Sequence, residues 1–413
     1  MKLCIHRGTA EIGGNCIEVE ASGQSILLDL GAPLMGNLSP VEALPPVKGL
    51  TDGTNANLLG IVISHPHADH YGLARLAHPS IPIYIGNEAD KLLRAAMAFG
   101  PFGAVFPKVV NYQHRKPFKI GPFTITPYLN DHSAFDAYSF LIRADGKSLF
   151  YSGDIRGHGW KARMFDQLLA TGPKDVDVML LEGTTLGRKG EERSETEATL
   201  VEHLIESISG TDGLILAAFS GQNIDRLVTF YKAIKATRRS FIVDVYIAHL
   251  LRSLGRKSLP DPTSGALRVF LPRRHKIGII RNQAFDLIEP YRSRRIYPHE
   301  LRKRRRHLAM TFRVSMVQDL TDADCLDGAR LIYSMWPGYL ERGSPDLREW
   351  CVDRGVDFEI IHTSGHADAY DLKRLVEALR PKRLIPIHTL TPDRYRELSP
   401  NTTPISDGTW TDI

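Results

Sequence analysis

The stretch that decides the fold is Ser64-His65-Pro66-His67-Ala68-Asp69-His70, which follows a short β-branched run. In extended backbone alternate side chains project to the same side, so His65 and His67 can reach one cation. If the chain then turns into a helix, Asp69 and His70 can face a second cation. Imidazole and carboxylate groups are good zinc ligands. The stretch therefore predicts a metal site at the end of a strand.

Two further candidate ligands also stand directly after predicted strands. His132 follows the run Thr124-Ile125-Thr126, and Asp154 follows Leu149-Phe150-Tyr151. Taken alone, either residue would more often be a turn residue or a helix cap. At strand ends and downstream of the histidine-rich stretch, they are the expected third histidine ligand and the carboxylate that bridges two metals.

The remaining pattern alternates strands with turns and helices. Asp145-Gly146 between two apolar runs is typical of a β-hairpin. Ser194, with Glu197 three residues later, predicts a capping box that opens a helix. A strand at Leu214–Phe219, a turn at Ser220–Asn223, a helix and another strand then follow, which indicates a parallel α/β unit.

Histidines at strand ends return near the C-terminus. Phe358-Glu359-Ile360-Ile361 leads into His362-Thr363-Ser364-Gly365-His366, and Leu384-Ile385-Pro386-Ile387 leads into His388. We interpret this return as the completion of the site that begins near His65. The segment between the two parts is then an insertion into the first domain.

The order of these motifs resembles a known family. The series His65, His67, Asp69, His70, His132 and Asp154 resembles the metal signature of the metallo-β-lactamase superfamily. The three motifs of the β-CASP nucleases resemble three stretches of this chain: Glu182 in Glu-Gly-Thr-Thr, His362–His366 and Ile385–His388. The amino acids in these stretches are most similar to those of ribonuclease J-like proteins. The resemblance spans nearly the whole chain.

The resemblance implies an α/β fold, a four-layer αββα metallo-β-lactamase sandwich with an inserted β-CASP α/β domain. We expect residues 1–195 to form the first part of the metallo-β-lactamase domain. Residues 196–355 would form the inserted domain, and residues 356–413 the C-terminal part of the first domain.

The resemblance also implies roles for the site residues. His65, His67 and His132 would hold one metal, Asp69, His70 and His388 a second, and Asp154 would bridge them. We expect two Zn²⁺ per chain, although manganese would suit the same ligands. Asp69, His366 and Glu182 form the expected catalytic set, in which His366 is the general acid and Glu182 orients its ring. Phosphate contacts are expected from Ser364, Gly365, Ser220 and Gln222.

A basic run stands inside the predicted insertion. The net charge is only +5, but Arg292, Arg294, Arg295 and residues 302–306 are basic, with Glu300 the only acid among them. Such a block suits a polyanion, and we expect Arg302, Arg304 and Arg305 to contact the nucleic-acid backbone. A solvated surface segment without a partner is the alternative interpretation.

The sequence therefore predicts a metal-dependent nuclease that hydrolyses RNA or single-stranded DNA and leaves 5′-phosphate and 3′-hydroxyl ends. Two alternatives stay open: a small-molecule hydrolase on the same fold, and an inactive binding subunit of a nuclease complex. No apolar run approaches the length of a membrane span and no secretory signal is visible, so we expect a cytoplasmic protein without membrane contact. A homodimer is one oligomeric state that the sequence leaves open.

Overall fold

The structure is a computed structural model that describes residues 1–34, 38–100, 103–188, 193–265, 267–342 and 346–413. It divides into two compact units. Unit 1 consists of Met1–Met97, Pro101–Ser194 and Gly365–Ile413, and unit 2 of Ala98–Gly100 and Glu195–Ser364. Within the described ranges, none of the helices combines the length and the apolar character needed to cross a lipid bilayer.

The described residues form twenty β-strands. The strands are β1 Lys2–Arg7, β2 Cys16–Ala21, β3 Gln24–Leu28, β4 Leu58–Val62, β5 Ile83–Gly86, β6 Val109–Tyr112, β7 Phe118–Ile120, β8 Phe123–Leu129, β9 Tyr138–Ala144, β10 Lys147–Tyr151, β11 Val178–Glu182, β12 Ile215–Ala218, β13 Ser240–Asp244, β14 Leu267–Phe270, β15 Arg295–Ile296, β16 Leu308–Phe312, β17 Arg330–Tyr333, β18 Asp357–Ile360, β19 Arg383–Ile387 and β20 Trp410–Asp412.

The helices are fewer and most are short. They are α1 Ala68–Tyr71, α2 Asn87–Met97, α3 Ala162–Thr171, α4 Glu197–Ser209, α5 Ile224–Ala236, α6 Val245–Leu254, α7 Arg273–Arg281, α8 Pro298–Arg304, α9 Val317–Asp322, α10 Leu347–Asp353 and α11 Ala369–Leu379.

Unit 1 contains two mixed sheets built from described residues. The first has the order β20-β1-β2-β3-β4-β5-β6, and the second the order β19-β11-β10-β9-β8-β7. The predicted hairpin joins β9 to β10, and Asp145 and Gly146 both have positive φ, as a tight hairpin turn requires. Strand β19 pairs in parallel with β11 at the edge of the second sheet, whereas the last strand, β20, pairs with β1 in the first sheet.

Alternating side chains divide these sheets into layers. Ile26 and Leu28 of β3 face the second sheet, where they share a core with Phe140 and Leu180. Leu27 points the other way and shares a core with Leu93 of α2. The outer face of the second sheet packs against α3 and α11 through residues such as Met179, Leu168 and Leu375. The predicted four-layer αββα sandwich is therefore confirmed.

Unit 2 is a parallel α/β unit, as its alternating pattern predicts. Its sheet has the order β15-β14-β13-β16-β12-β17-β18, and each neighbouring pair is parallel. One face is covered by α8, α9 and α10, which contribute Leu301, Leu320 and Trp350 to a buried core with the sheet. All strand starts lie at one edge of this sheet, and all carboxyl ends lie at the other.

Two details of the sequence interpretation differ from the structure. The cap of α4 is Thr196, whose side chain accepts a hydrogen bond from the backbone N–H of Thr199, whereas Ser194 donates its N–H to Asp368. The predicted capping box at Ser194 is therefore wrong, because the hydroxyl of Thr196, two residues nearer the helix, accepts from the free amide. In addition, β18 pairs with β17, so unit 2 extends to Ser364 rather than to residue 355.

Candidate metal centre

Four potential ligands meet at one edge of the two sheets of unit 1. His65 and His67 lie in the loop after β4, His132 follows β8, and Asp154 follows β10. One donor atom from each of these four residues lies within 4.8 Å of the others. Nδ1 of His67 stands 3.2 Å from Nε2 of His132, and Nε2 of His65 stands 3.6 Å from Oδ2 of Asp154. These are the side chains that the sequence assigns to one metal.

A second group shares Asp154 with the first. Asp69 and His70 lie on the single turn of α1, and His388 follows β19. With Asp154, their donor atoms also lie within 4.8 Å of one another. Nε2 of His70 is 3.2 Å from Oδ2 of Asp154, and Nε2 of His388 is 3.3 Å from Oδ2 of Asp69. The fold thus brings the seven predicted ligands together around Asp154.

The orientation of His70 depends on Asp29, which the sequence analysis did not identify. The Nδ1–H of His70 donates to Asp29 at 2.7 Å, so the opposite ring nitrogen, Nε2, is left facing Asp154. Asp29 is fully buried and also accepts from the N–H and hydroxyl of Ser64, at 2.6 and 2.7 Å. Asp29 has a φ of 59°. The sequence did not indicate its role, because there Asp29 is only the polar residue that follows an apolar strand.

The ring of His388 is oriented in a similar way, whereas the segment of His132 is held through its backbone oxygen and through Asp131. Oγ1 of Thr184, in the loop after β11, lies 2.7 Å from Nδ1 of His388. The backbone oxygen of His132 accepts from Nζ of Lys161 at 3.0 Å. The carboxylate of the preceding Asp131 accepts from the N–H of Gly159 at 2.6 Å. Such contacts fix the direction of a ligand before any metal is bound.

The environment keeps the first group of histidines neutral. Burial lowers the pKa of His67 to about 4, although Asp69 and Asp154 oppose the shift. Burial also lowers the pKa of His65 and of His132 well below the usual value. At neutral pH these three rings therefore keep the lone pairs that a metal ion needs.

The second group is dominated by negative charge. Burial alone would lower the pKa of His70, but Asp154, Asp29 and Asp69 raise it well above its usual value. Burial would raise the pKa of Asp154, but the charges of His388, His70 and His366 hold it well below its usual range. A buried place that favours positive charge this strongly also favours a divalent cation.

The buried polar atoms provide a further test of this fit. Among the described residues, no hydrogen-bond partner is found for either carboxylate oxygen of Asp154, or for Nε2 of His65 and of His70. Buried polar atoms are normally paired, and unpaired ones indicate a binding partner such as an ion. Imidazole and carboxylate donors match the chemistry of zinc. The donor set therefore fits a divalent metal.

His366 and Glu182 lie beside this group. Nδ1 of His366 is 3.4 Å from Oε1 of Glu182 and 3.6 Å from Oδ2 of Asp154. Glu182 ends β11 fully buried, and its other oxygen, Oε2, accepts the N–H of Thr184 at 2.9 Å. Unlike the fully buried rings of His70, His132 and His388, the His366 side chain is 21% exposed. It can therefore meet both the buried carboxylates and a substrate.

The predicted phosphate contacts are distributed over both units. Gly365 lies in unit 1, where an added Cβ would stand 2.4 Å from Oγ of Ser133. Ser364, Ser220 and Gln222 lie in unit 2. There the Gln222 amide donates to the hydroxyl of Tyr246 at 3.1 Å, and Asn223 rather than Ser220 caps α5.

Two of the arginines that we expect to contact the nucleic-acid backbone form ion pairs within unit 2. Arg302 pairs with Asp324 at 2.9 Å, and Arg305 pairs with Asp327 at 2.5 Å. Neither carboxylate was associated with the basic run at the level of sequence, because both stand some twenty residues further along the chain. The role of Arg302, Arg304 and Arg305 in binding nucleic acid stays a prediction.

Two protein families match parts of the chain. Residues 25–206 match the family described as "Beta-lactamase superfamily domain", and residues 357–394 match "Zn-dependent metallo-hydrolase RNA specificity domain". The first match contains the histidine-rich stretch, His132, Asp154 and Glu182. The second contains His366 and His388. A divalent metal is thus supported both by the donor geometry and by these family matches.

Similar curated proteins cover most of the chain. Ribonuclease J of Sinorhizobium meliloti is 22% identical over 88% of the chain and 64% of that protein. Ribonuclease J of Mycobacterium tuberculosis is 25% identical over 92% of the chain and 67% of that protein. For ribonuclease J of Helicobacter pylori the values are 23%, 92% and 55%. The chain therefore spans roughly two thirds of these relatives or less.

A solved structure supports the fold along the whole chain. A protein of unknown function from Enterococcus faecalis V583 superimposes with a TM-score of 0.80 at 20% identity, over 100% of this chain and 99% of that one. Two family matches, relatives along nearly the whole chain and this fold agree with one another. The chain carries a match to the beta-lactamase superfamily domain and a match to the metallo-hydrolase RNA specificity domain, and its similarity to the ribonucleases J is consistent with the β-CASP branch.

Proposed function

We propose that the protein is a metal-dependent ribonuclease that hydrolyses phosphodiester bonds and leaves 5′-phosphate and 3′-hydroxyl ends. One observation carries the proposal: Asp154 belongs to both groups of potential ligands, and the Glu182–His366 pair lies next to it. The similarity to the ribonucleases J and the match to an RNA specificity domain support RNA as the substrate class.

In this proposal two Zn²⁺ are bound per chain. His65, His67 and His132 hold one, Asp69, His70 and His388 hold the other, and Asp154 serves both. A pair of divalent ions supplies a nucleophilic water at neutral pH and offsets the negative charge that develops on phosphate. The protein contributes rings whose free nitrogens are already directed: Asp29 leaves Nε2 of His70 facing Asp154, and Thr184 leaves Nε2 of His388 facing Asp69.

His366 donates the proton that the leaving 3′-oxygen requires. Its Nδ1–H faces Glu182 and Asp154, so Nε2 on the other side of the ring is the atom that delivers the proton. Glu182 is a positioning residue in this scheme, because its buried carboxylate fixes the direction of the ring. A small-molecule hydrolase of the same fold does not need this pair.

Unit 2 is, in this proposal, the inserted β-CASP domain and contributes to the binding of the nucleic-acid strand. Ser220, Gln222 and Ser364 all follow carboxyl ends of its parallel strands, where open α/β sheets bind their ligands. Single-stranded DNA as an additional substrate and a homodimeric state are also part of the proposal, and both need separate measurements.

The experiment uses RNA and single-stranded DNA of the same sequence, labelled either at the 5′ end or internally. Products are sized over time, and their ends are tested for phosphate. We expect zinc- or manganese-dependent cleavage of RNA with 5′-phosphate products, and accumulation of mononucleotides or of fragments identifies exonuclease or endonuclease action. No cleavage of either polymer, together with hydrolysis of small esters, would contradict the proposal.

A further inference from the structure

A basic cavity lies at the amino edge of the sheet in unit 2. Its volume is about 350 Å³. The strands β13, β16 and β12 are adjacent and parallel, so the segments that precede them meet at this edge. The polar residues that line the cavity come from these segments: Ser209, Thr237, Arg238, Arg239, Arg306 and His307. Among the described lining residues, none is acidic.

A structural explanation accounts for only one of these cations. The helices α4 and α5 end at this edge, and helix C-termini carry partial negative charge that attracts basic side chains. Arg239 satisfies this need. Its guanidinium donates to the backbone oxygens of Gly213, Leu308, Ile208 and Thr211, and the charge of Asp212 also acts on it. The partial charges at the helix ends therefore do not explain the other basic side chains at this edge.

The other basic side chains at this edge are exposed and have no carboxylate partner within the described ranges. Arg238 adopts a left-handed conformation, with φ of 58°, directly before β13 and is exposed to solvent. Arg306 and His307 are exposed directly before β16, and Lys303 and Arg304 precede them on the last turn of α8. Within residues 302–306, the arginines that form ion pairs are Arg302 and Arg305.

We propose that this amino edge is a second RNA-binding surface, in which Arg238 and Arg306 contact backbone phosphates and Lys303 and Arg304 extend the contact along the strand. The proposal rests on the proposed ribonuclease activity and assigns to it a binding site away from the carboxyl ends of the same sheet. In this proposal the RNA phosphates contact the neighbouring cations without a carboxylate partner, rather than Arg302 and Arg305.

The shape of the basic surface favours a polyanion over a small anion. A single phosphate would be satisfied by two convergent cations inside an enclosed pocket. Here further exposed cations, Lys303 and Arg304, stand on α8 just before the lining residue Arg306, and several neighbouring charges suit the repeating charge of a nucleic-acid backbone. The proposed contacts of these cations are to phosphates, which carry no sequence information, so we expect binding without base preference.

The test compares two double variants that remove equal charge from the same unit: R238Q/R306Q from the proposed surface, and R302Q/R305Q from the paired arginines. Each is assayed as the metal-loaded enzyme on a single-stranded RNA and on bis(p-nitrophenyl) phosphate, whose single phosphate is too small to occupy two places. Values of kcat/KM are measured over a range of salt concentrations.

We expect R238Q/R306Q to lower kcat/KM for RNA on the order of tenfold at about 50 mM salt, and to make its logarithmic salt dependence shallower by about 1.4, since each phosphate contact on a single strand contributes about 0.7. Hydrolysis of the small diester should be unchanged. R302Q/R305Q should affect RNA much less.

The outcomes separate this proposal from the activity on which it rests. If the wild-type enzyme cleaves neither substrate, the ribonuclease proposal fails. If it cleaves RNA but the two double variants are equally affected or equally unaffected, only the second surface is contradicted. If RNA kinetics are unchanged but inorganic phosphate raises the Tm of the wild type and not of R238Q/R306Q, the cavity binds a small anion and the RNA surface is overturned.

Discussion

His70 shows how a single buried contact prepares a ligand. An imidazole can bind a metal through either nitrogen, and the nitrogen that stays free is decided by the partner of the other one. In this protein Asp29 accepts the Nδ1–H of His70, so that Nε2 faces Asp154. The negative carboxylate also makes the ring a stronger donor. We therefore expect Asp29 to contribute to metal affinity without being a ligand.

We expect Asp29→Asn to weaken zinc binding by about 10- to 100-fold, the usual effect of losing such a supporting partner. Affinity can be measured by competition with a chromogenic chelator. Asp177→Asn is the control, because Asp177 likewise accepts the N–H and hydroxyl of a serine, Ser148, while its other oxygen pairs with Lys382 rather than with a histidine. Equal affinities in the two variants would show that Asp29 does not support the site.

His366 has the most specific role of any single residue in the proposal. His366→Ala should retain both metals and lower RNA hydrolysis by about 10²- to 10⁴-fold, because the leaving 3′-oxygen would depart without a proton. A nitrophenyl phosphodiester has a good leaving group and should be affected much less. Glu182→Gln should resemble a milder form of His366→Ala, since it disturbs only the direction and charge of the ring.

Metal content and both reaction rates are measured on the same preparations. Equal losses on the two substrates would mean that His366 is not the general acid. Loss of metal from His366→Ala would instead identify the ring as a ligand.

At the scale of elements, a buried ion pair joins α4, α5 and two strands of unit 2. Arg226 on α5 forms two hydrogen bonds of 3.1 Å to Glu197 on α4, and both side chains are 1% exposed. The same guanidinium donates to the backbone oxygens of Ser334, after β17, and Thr363, after β18. One side chain therefore fixes the segment that leads into the second histidine motif.

We expect Arg226→Ala to destabilise unit 2 by about 3–5 kcal/mol, because Glu197 would remain buried without its charge partner. Hydrogen exchange in β12 and β17 measures the effect within the unit. Arg292→Ala, which removes an arginine from an exposed pair with Glu289, should change exchange little. If both variants exchange alike, the buried pair does not stabilise the unit.

The sequence predicts elements and ligands that local patterns encode. The hairpin at Asp145-Gly146, the parallel unit after Glu197 and the side chains gathered around Asp154 all follow from turn chemistry, periodicity or short motifs. Asp29, Thr184 and Arg226 were not predicted, because each acts on a residue far away in the chain and resembles an ordinary strand end or helix residue. Likewise, Asp324 and Asp327 neutralise part of the basic run only after the chain has folded.

At the scale of the whole molecule, the chain builds its candidate centre from segments at both ends. Met1–Met97 and Pro101–Ser194 provide six of the seven potential ligands, and Gly365–Ile413 provides His388 as well as His366. β19 places His388 by pairing in parallel with β11, the strand that ends at Glu182. A chain that lost this pairing would lose part of the site together with the edge of the second sheet.

The central claim is that two divalent ions held around Asp154 support RNA hydrolysis, and a metal titration tests it most directly. Chelator-treated protein is titrated with zinc, and in parallel with manganese, while bound metal and cleavage of end-labelled RNA are followed together. We predict that activity is absent without metal and saturates near two ions per chain, and that Asp154→Ala neither binds both ions nor regains activity. Full RNA cleavage by the metal-free protein, or by Asp154→Ala, would contradict the account.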